Sequence, residues 1–316
     1  YAANDQTYSV YYYLEGTETP VPGTTAKENV SAKFDETVTE TAPAVTGYTV
    51  AGDSTRSITV GADNAANKIV FYYTVNSYPL NITYKYADDV PDAALRGQKA
   101  AEPVSRDIAF GAPYSVASPL IPGYTASVAA VAGTMAENGV TVEVVYRAAT
   151  DTAYTVKHML QDVTGDGYTE DAAARQTLHG TTGADTNAAA KSYEGFTAQA
   201  VVQQAIAADG STVVEIKYDR NSYEVTYAYV GTAPAGASAL PEKATVKYGA
   251  PVAVAAAATA PGYTFSGWST GDFTMPAQDV EITGSFTANG DTAYTVEHYQ
   301  QNLAGDGYDL VEADTE

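Results

Sequence analysis

Alternation of apolar and polar residues organises this chain. Tyr78, Leu80, Ile82, Tyr84 and Tyr86 share one face of a strand against Asn81, Thr83 and Lys85, and Tyr223, Val225, Tyr227 and Tyr229 do so against Glu224, Thr226 and Ala228. Strands of this kind open at Tyr8, Tyr78, Tyr154, Tyr223 and Tyr294, roughly seventy residues apart. Past the middle of each interval stands a glycine–aromatic pair: Gly47-Tyr48, Gly123-Tyr124, Gly195-Phe196 and Gly262-Tyr263. Each interval then closes on a β-branched and aromatic run, at 69–73, 142–146, 213–218 and 280–286. The pattern predicts modules at 1–76, 77–150, 151–221 and 222–290, with 291–316 as the opening segment of a fifth.

A longer repeat overlies this one. Asp-Thr-Ala-Tyr-Thr-Val-x-His followed by Gly-Asp-Gly-Tyr begins at Asp151 and again at Asp291, while Asn-Ser-Tyr recurs at Asn76 and Asn221. Two module types therefore alternate, and the repeat is cut at Glu316, as expected for a piece of a longer array. Residues 291–316, lacking a closing strand, are expected to be poorly ordered unless a neighbour supplies an edge. The seams have no Pro/Gly/Ser-rich spacer, which favours an elongated rod over a flexible string. Gly165-Asp166-Gly167 and Gly305-Asp306-Gly307 suit hairpin turns. One short helix is predicted over 186–190, N-capped by Asp185 with Lys191 at its C-terminal end, and 255–258 is ambiguous between Pro251 and Pro261. The expected class is thus strand-dominated α+β.

Composition narrows the function. Tyrosines number 26 against 7 phenylalanines, a balance suited to half-buried strands whose hydroxyls reach water. The formal charge of −22 disfavours nucleic acid and anionic membrane surfaces as partners. No cysteine is present, so neither disulfides nor thiolate metal sites are available, and no apolar run is long enough to insert in a bilayer. The fragment is expected to be monomeric.

The residues offer little for catalysis. His158 and His298 hold the same position in two copies of the repeat and read as packed or rim side chains, and neither they nor His179 joins a nucleophile set. We expect no enzyme and no cofactor. Asp162, Thr164 and Asp166 alternate ahead of Gly167, which makes Asp162 and Asp166 weak calcium candidates, but the hairpin-turn reading is favoured and no metal site is assigned. Lys68, Lys157 and Lys217 sit on strands, where an isopeptide bond would need an amide or carboxylate partner and a buried acid; no such triad is marked.

Binding is the better prospect. Trp268 presents a face suited to pyranose stacking, although its motif argues for a core or boundary anchor. If Tyr8, Val10, Tyr12 and Leu14 face the core, Tyr11 and Tyr13 face out. Were first and last strands neighbours, Tyr72 would join them in one aromatic patch where other modules carry charge. Such a patch serves either a host glycan or surface protein, or contact with an adjoining module.

The first and third modules resemble mucin-binding-protein (MucBP-like) repeats of Gram-positive surface proteins. The resemblance rests on 8–13, Gly47-Tyr48 and 69–73, and on 154–156, 193–196 and 214–218. The fourth resembles a Listeria–Bacteroides (internalin B-type) repeat through Gly262-Tyr263-Thr264-Phe265-Ser266-Gly267-Trp268 and 273–280, and the second is a weaker relative of that type through Pro122-Gly123-Tyr124. These resemblances imply β-grasp (ubiquitin-like) modules with parallel first and last strands, an extracellular place on a bacterial cell wall, and an adhesin stalk displaying a distal binding domain with weak multivalent contacts. Alternatives are a lectin-like array binding host glycans (mucin) directly, and an accessory region of a secreted hydrolase.

Overall fold

A computed structural model describes residues 4–315, with the backbone alone at 312–315. The chain divides into two compact units, one of Tyr1–Ala153, His179–Asp185 and Ala205–Thr212, the other of Tyr154–Leu178, Thr186–Gln204 and Val213–Glu316.

One strand plan recurs. The first module comprises β1 (Asp5–Leu14), β2 (Lys27–Lys33), β3 (Thr37–Thr41), β4 (Tyr48–Ala51), β5 (Thr55–Thr59) and β6 (Lys68–Val75). Its main sheet runs β2-β1-β6-β4, and β3 pairs with β5 in a separate ladder. The central pair β1–β6 is parallel, in register from Ser9↔Lys68 to Leu14↔Tyr73, and the flanking pairs are antiparallel. Strands of the second module are β7 (Ser77–Tyr86), β8 (Val104–Ala109), β9 (Pro113–Ala117), β10 (Tyr124–Ala126), β11 (Ala130–Thr134) and β12 (Val140–Ala148). They repeat the plan as β8-β7-β12-β10 with a β9–β11 ladder.

The third module has β13 (Thr152–Gln161), β14 (Tyr168–Glu170), β15 (Gln176–Gly180), β16 (Phe196–Ala198) and β17 (Val213–Arg220), with β14 and β15 both on β13. The fourth has β18 (Ser222–Tyr229), β19 (Ala244–Lys247), β20 (Pro251–Val252), β21 (Tyr263–Phe265), β22 (Phe273–Thr274), β23 (Val280–Gly284) and β24 (Phe286–Ala288). Parallel pairing of the opening strand with the closing segment holds in every module: β7 with β12, β13 with β17, and β18 with β23, which is followed past Ser285 by β24, antiparallel to β21. The core follows the predicted face, since Tyr8, Val10 and Tyr12 are buried with Ile69, Phe71 and Tyr73. The two-stranded ladder covers that face, with Val38 and Ile58 packed on it. Tyr114, Val116 and Val131 do the same in the second module, and Val252 and Phe273 in the fourth.

Helix is nearly absent, which corrects the α+β expectation. Among the described residues, the single helical segment is a 3₁₀ turn at Ala172–Ala174. Residues 186–190 are not helical, the amides at 186, 187 and 188 being taken by other segments. Thr186 N–H donates to the Gln204 carbonyl, Asn187 N–H to the Tyr154 hydroxyl and Ala188 N–H to Gln203 Oε1. Asp185 bridges Ala205 instead of capping a helix. Residues 255–258 are not helical either: Ala255 N–H goes to the Tyr227 hydroxyl and the Ala256 carbonyl receives Trp268 Nε1–H.

Residues 291–316 were expected to be poorly ordered. Instead β25 (Thr295–Gln301) and β26 (Tyr308–Thr315) pair with each other as an antiparallel hairpin, closed at Gln301↔Tyr308 around the Gly305–Gly307 turn. Each strand of the segment supplies the edge for the other.

A fourfold turn follows the second strand of the main sheet. At Asp35, Gly111, Gly183 and Gly249 the backbone takes φ of +66°, +75°, +78° and +76°. The N–H of each donates to a buried residue further along, Val60, Met135, Ile206 and Met275 respectively, whose own N–H returns to the carbonyl of the next residue in the turn. Such a conformation favours glycine, with aspartate an occasional substitute.

The residue ahead of this turn forms the seam to the previous module. Asn76 N–H donates to the Gly47 carbonyl (2.9 Å) and the Asn76 carbonyl accepts from Phe110 N–H (2.8 Å). Asn221 links Gly195 to Tyr248 with the same distances, and Ala149 links Gly123 to Thr182. The aromatic side chain then lies on the glycine: a Cβ at Gly47 would stand 2.1 Å from the Phe110 ring, and one at Gly195 2.3 Å from the Tyr248 ring. The Tyr48–Phe110 and Phe196–Tyr248 ring pairs are edge-on at 6.0 and 5.9 Å. Arg220 reinforces the second of these seams, stacking on Phe196 at 4.7 Å while donating to the carbonyls of Gln161 and Tyr248.

Gly16 (φ +74°) has nothing within 4 Å of a built Cβ, whereas Gly195 (φ +73°) meets the Tyr248 ring. Gly16→Ala should therefore cost only the left-handed backbone penalty of about 1 kcal/mol. Gly195→Ala should cost at least about 1 kcal/mol more, through displacement of Tyr248. Denaturant unfolding of the two variants checks this order.

Candidate functional site

The β1–β6 register sets Tyr11 opposite Val70 and Tyr13 opposite Tyr72 on the outer face of the first module. Period two dictates this, because their neighbours Val10, Tyr12, Phe71 and Tyr73 are buried. Tyr11 and Tyr13 stack with centroids 5.7 Å apart and planes 12° apart, and all three tyrosines stay partly exposed. The sequence-predicted juxtaposition of Tyr11, Tyr13 and Tyr72 is therefore present.

Two shallow hollows flank these rings. Tyr11 and Tyr13 line one with Pro20, Thr24 and Glu28, and Tyr72 lines the other with Glu15, Thr17 and Glu18. Partial desolvation, the neighbouring Tyr11 and the carboxylates of Glu18 and Glu28 push the Tyr13 hydroxyl pKa up, so it stays protonated. The face offers aromatic planes, hydroxyl donors and carboxylate acceptors, the groups that pack on and hydrogen-bond a polyhydroxylated ring. Equivalent positions elsewhere differ. Lys157, Met159 and Lys217 occupy them in the third module, with Glu215 opposite Lys157; in the second, Lys85 pairs with Glu143 at 3.0 Å.

Behind the patch, β1 is fastened from its inner side. The Tyr8 hydroxyl donates to Glu40 Oε1 (2.7 Å), and Lys27 Nζ donates to Glu40 Oε2 (2.6 Å). The hydrogen bond to Glu40, then burial, pushes the Tyr8 pKa up to about 12. Burial alone would raise the Glu40 carboxyl, but the hydrogen bonds from Lys27 and Tyr8 outweigh it and hold that pKa below its ordinary value.

Trp268 is not near these tyrosines in sequence or sheet. It packs edge-on to Tyr227 and Phe265, both at 4.9 Å, stacks with Tyr229 at 5.9 Å and donates Nε1–H to the Ala256 carbonyl. Those partners make it part of the fourth module's apolar cluster. Asp162 and Asp166 belong to the β13–β14 hairpin, where Asp162 Oδ1 accepts from Thr169 and Asp162 N–H donates to the Gly167 carbonyl. Among the described residues no three acidic, histidine or cysteine side chains converge as a metal-binding group.

The histidines are not assembled with a nucleophile. His158 is fully buried, with Nδ1 2.7 Å from the Tyr218 hydroxyl, while His179 and His298 are exposed. Lys68 and Lys217 are exposed and Lys157 is half-exposed. No helix among the described residues is long and apolar enough to cross a membrane. Sequence reasoning missed the seam residues Phe110, Tyr248 and Arg220. The shared strings Phe-Gly-Ala-Pro at 110–113 and Tyr-Gly-Ala-Pro at 248–251 carried the signal.

Comparison with known proteins places one family on this chain in part. The MucBP domain matches residues 79–147. That span lies in the second module, grouped by its sequence with the internalin B-type repeats, and not in the first or third. Among solved structures, the Bacillus anthracis TIE protein is similar at 11% identity with a TM-score of 0.36, over 74% of this chain and 54% of that one. This chain thus spans about half of that protein's length. Streptococcal High Identity Repeats in Tandem (SHIRT) domains 3-4 from a cell surface protein are similar at 15% identity and a TM-score of 0.19, over 42% of this chain and 96% of that one. Among curated proteins none matches.

The Tyr8–Glu40 bond generates a pH prediction. A raised tyrosine pKa in the folded state gives stability that is complete below the ordinary value near 10 and is lost as pH rises through about 12. The depressed Glu40 value acts in the opposite sense: its contribution is present above the ordinary carboxylate value and lost as pH falls through the folded one. Tyr8→Phe should cost about 1.5 kcal/mol at neutral pH. It should also flatten the loss of stability between pH 10 and 12, measured by denaturant melts across that range.

Proposed function

We propose that this chain is the repeat region of a bacterial cell-surface adhesin, extracellular and wall-anchored, whose modules are β-grasp variants strung as a stalk. The tyrosine face of the first module adds a contact to a neutral glycan. The single observation that best supports an adhesive repeat is the MucBP match over 79–147, in a module whose strand plan the others share.

The strand geometry under tension favours the stalk. In each module the entering strand lies parallel beside the leaving strand, so tension strains several ladder hydrogen bonds together in shear. Seams between β6 and β7, and between β17 and β18, are one residue long, leaving little slack. The −22 charge works against sialylated or sulfated ligands, and the Glu15, Glu18 and Glu28 carboxylates around the tyrosines reinforce that preference locally.

Replacing Tyr11, Tyr13 and Tyr72 together by serine should weaken attachment to a neutral-glycan surface about 100-fold, at about 1 kcal/mol for each ring lost. The melting profile should stay close to that of the parent. Undiminished attachment by a folded triple variant sinks the glycan contact. The stalk is tested separately by pulling the chain from its two ends. Four discrete unfolding events, each releasing about 240 Å of chain, are expected, at roughly 3.5 Å per residue. Gradual extension at low force would argue against it.

A further inference from the structure

The seams define a two-part joint. The preceding module contributes a glycine–aromatic turn, and the following one contributes a linking residue plus a side chain ahead of the left-handed turn, which is aromatic in two of the three seams and Thr182 in the other. In the first module the second part is present, although the described residues contain nothing for it to meet. Phe34 N–H donates to the Asn4 carbonyl (3.0 Å), as Phe110 N–H does to Asn76 and Tyr248 N–H to Asn221. Asp35, at φ +66°, then donates to Val60 as Gly111 does to Met135 and Gly249 to Met275. Phe34 therefore occupies the place of Phe110 and Tyr248. Those two rings are partly buried on Gly47 and Gly195, whereas Phe34 is 47% exposed.

We infer that the Asn4–Phe34 end of the first module is a docking surface for the glycine–aromatic turn of a further module of this kind, joined covalently ahead of Asn4. A lone exposed phenylalanine needs no explanation. This one stands at a position fixed by three backbone hydrogen bonds that are reproduced in two formed aromatic seams. The occupant follows from those seams as well: a glycine whose missing Cβ admits the ring, followed by an aromatic residue that meets it edge-on, as Tyr48 meets Phe110 and Phe196 meets Tyr248. An asparagine at the link fits too. Asn76 and Asn221 each accept a threonine hydroxyl from the preceding module, Thr49 or Thr197, at 2.7 Å, and Asn4 is the same residue type. The inference stands on the seams and not on the tyrosine face, so its failure would leave the adhesive reading intact.

The test extends the chain with its own parts. Residues 151–220 are placed directly ahead of Asn4, so that Asn4 takes the position of Asn221 and Gly195 precedes Phe34 as it precedes Tyr248. Hydrogen exchange is then followed at the Phe34 amide and at its neighbours in β2. The extended chain should exchange there at least tenfold more slowly than the parent, and Phe34→Ser in the extended chain should abolish the gain. Because Phe34 is exposed in the parent, the same substitution there should leave its melting profile unchanged, which separates a lost joint from a misfolded module. Equal exchange in extended and parent chains would overturn the inference. Protection that instead grows with the concentration of the unextended parent would assign the surface to a second copy, overturning the covalent occupant.

Discussion

Parallel pairing of the opening strand of each module with its closing segment is the constraint on which the rest depends. Two parallel neighbours cannot be joined by a tight hairpin, so the intervening chain must cross from one end of the sheet to the other. Here the crossing is used to build the flanking sheet strands and, in the first, second and fourth modules, a separate two-stranded ladder that covers the core. It also fixes where the chain leaves. The last strand ends at the glycine–aromatic turn paired to it, so the first residue of the next module emerges beside that turn. Gly47 can then reach Asn76, and Gly195 can reach Asn221, through one backbone hydrogen bond each. The seam is thus a by-product of the strand order, needing only a glycine without a Cβ and a side chain to lie on it, a ring in two seams and Thr182 in the third.

How much of this was legible follows from periodicity. Opening and closing strands alternate so cleanly that their core faces, from Tyr8-Val10-Tyr12 to Phe71-Tyr73, could be assigned residue by residue, and the tyrosine juxtaposition with them. The covering ladder was less visible, because its outward face is a run of hydroxyls. Thr37, Thr39 and Thr41 face Thr59, Ser57 and Thr55, and of the inward residues only Val38 and Ile58 are apolar, beside Glu40 and Arg56. The helix expected over 186–190 failed because alanine propensity is worth little beside specific partners. A glutamine, two tyrosine hydroxyls and a backbone carbonyl satisfy amides at 186, 187, 188 and 191 without a helix.

The candidate site was readable for the same reason the seam was not. Tyr11, Tyr13 and Tyr72 are outward residues of regular strands, so alternation and one assumption about strand order suffice. Phe110, Tyr248 and Phe34 lie in turns, where no period applies and where the deciding property is a backbone angle. Asp35 replaces glycine at that angle, which hides the first module's turn from a search for Phe-Gly or Tyr-Gly pairs. Trp268, by contrast, has the chemistry of a sugar platform but spends it on Tyr227, Tyr229 and Phe265, with its indole N–H already donated to the Ala256 carbonyl. A residue type alone did not separate these cases; the partners did.

Seam and outer sheet face make different demands on sequence, and this separates structure from recognition within each module. A seam tolerates little: its glycine must stay bare, and its linking residue must give both N–H and carbonyl. The outer face of the β1–β6 pair and its counterparts answers only to strand propensity and solubility. It holds a Lys–Glu–Lys set in the third module, a Lys85–Glu143 pair in the second and tyrosines in the first, all on the same backbone. Surface ion pairs of that kind contribute little to stability, about 0–1 kcal/mol, so exchanging them for tyrosines is nearly free in folding terms. The parallel pair can therefore carry the mechanical demand while its exposed side chains vary, and recognition can change from module to module without disturbing the joints between them.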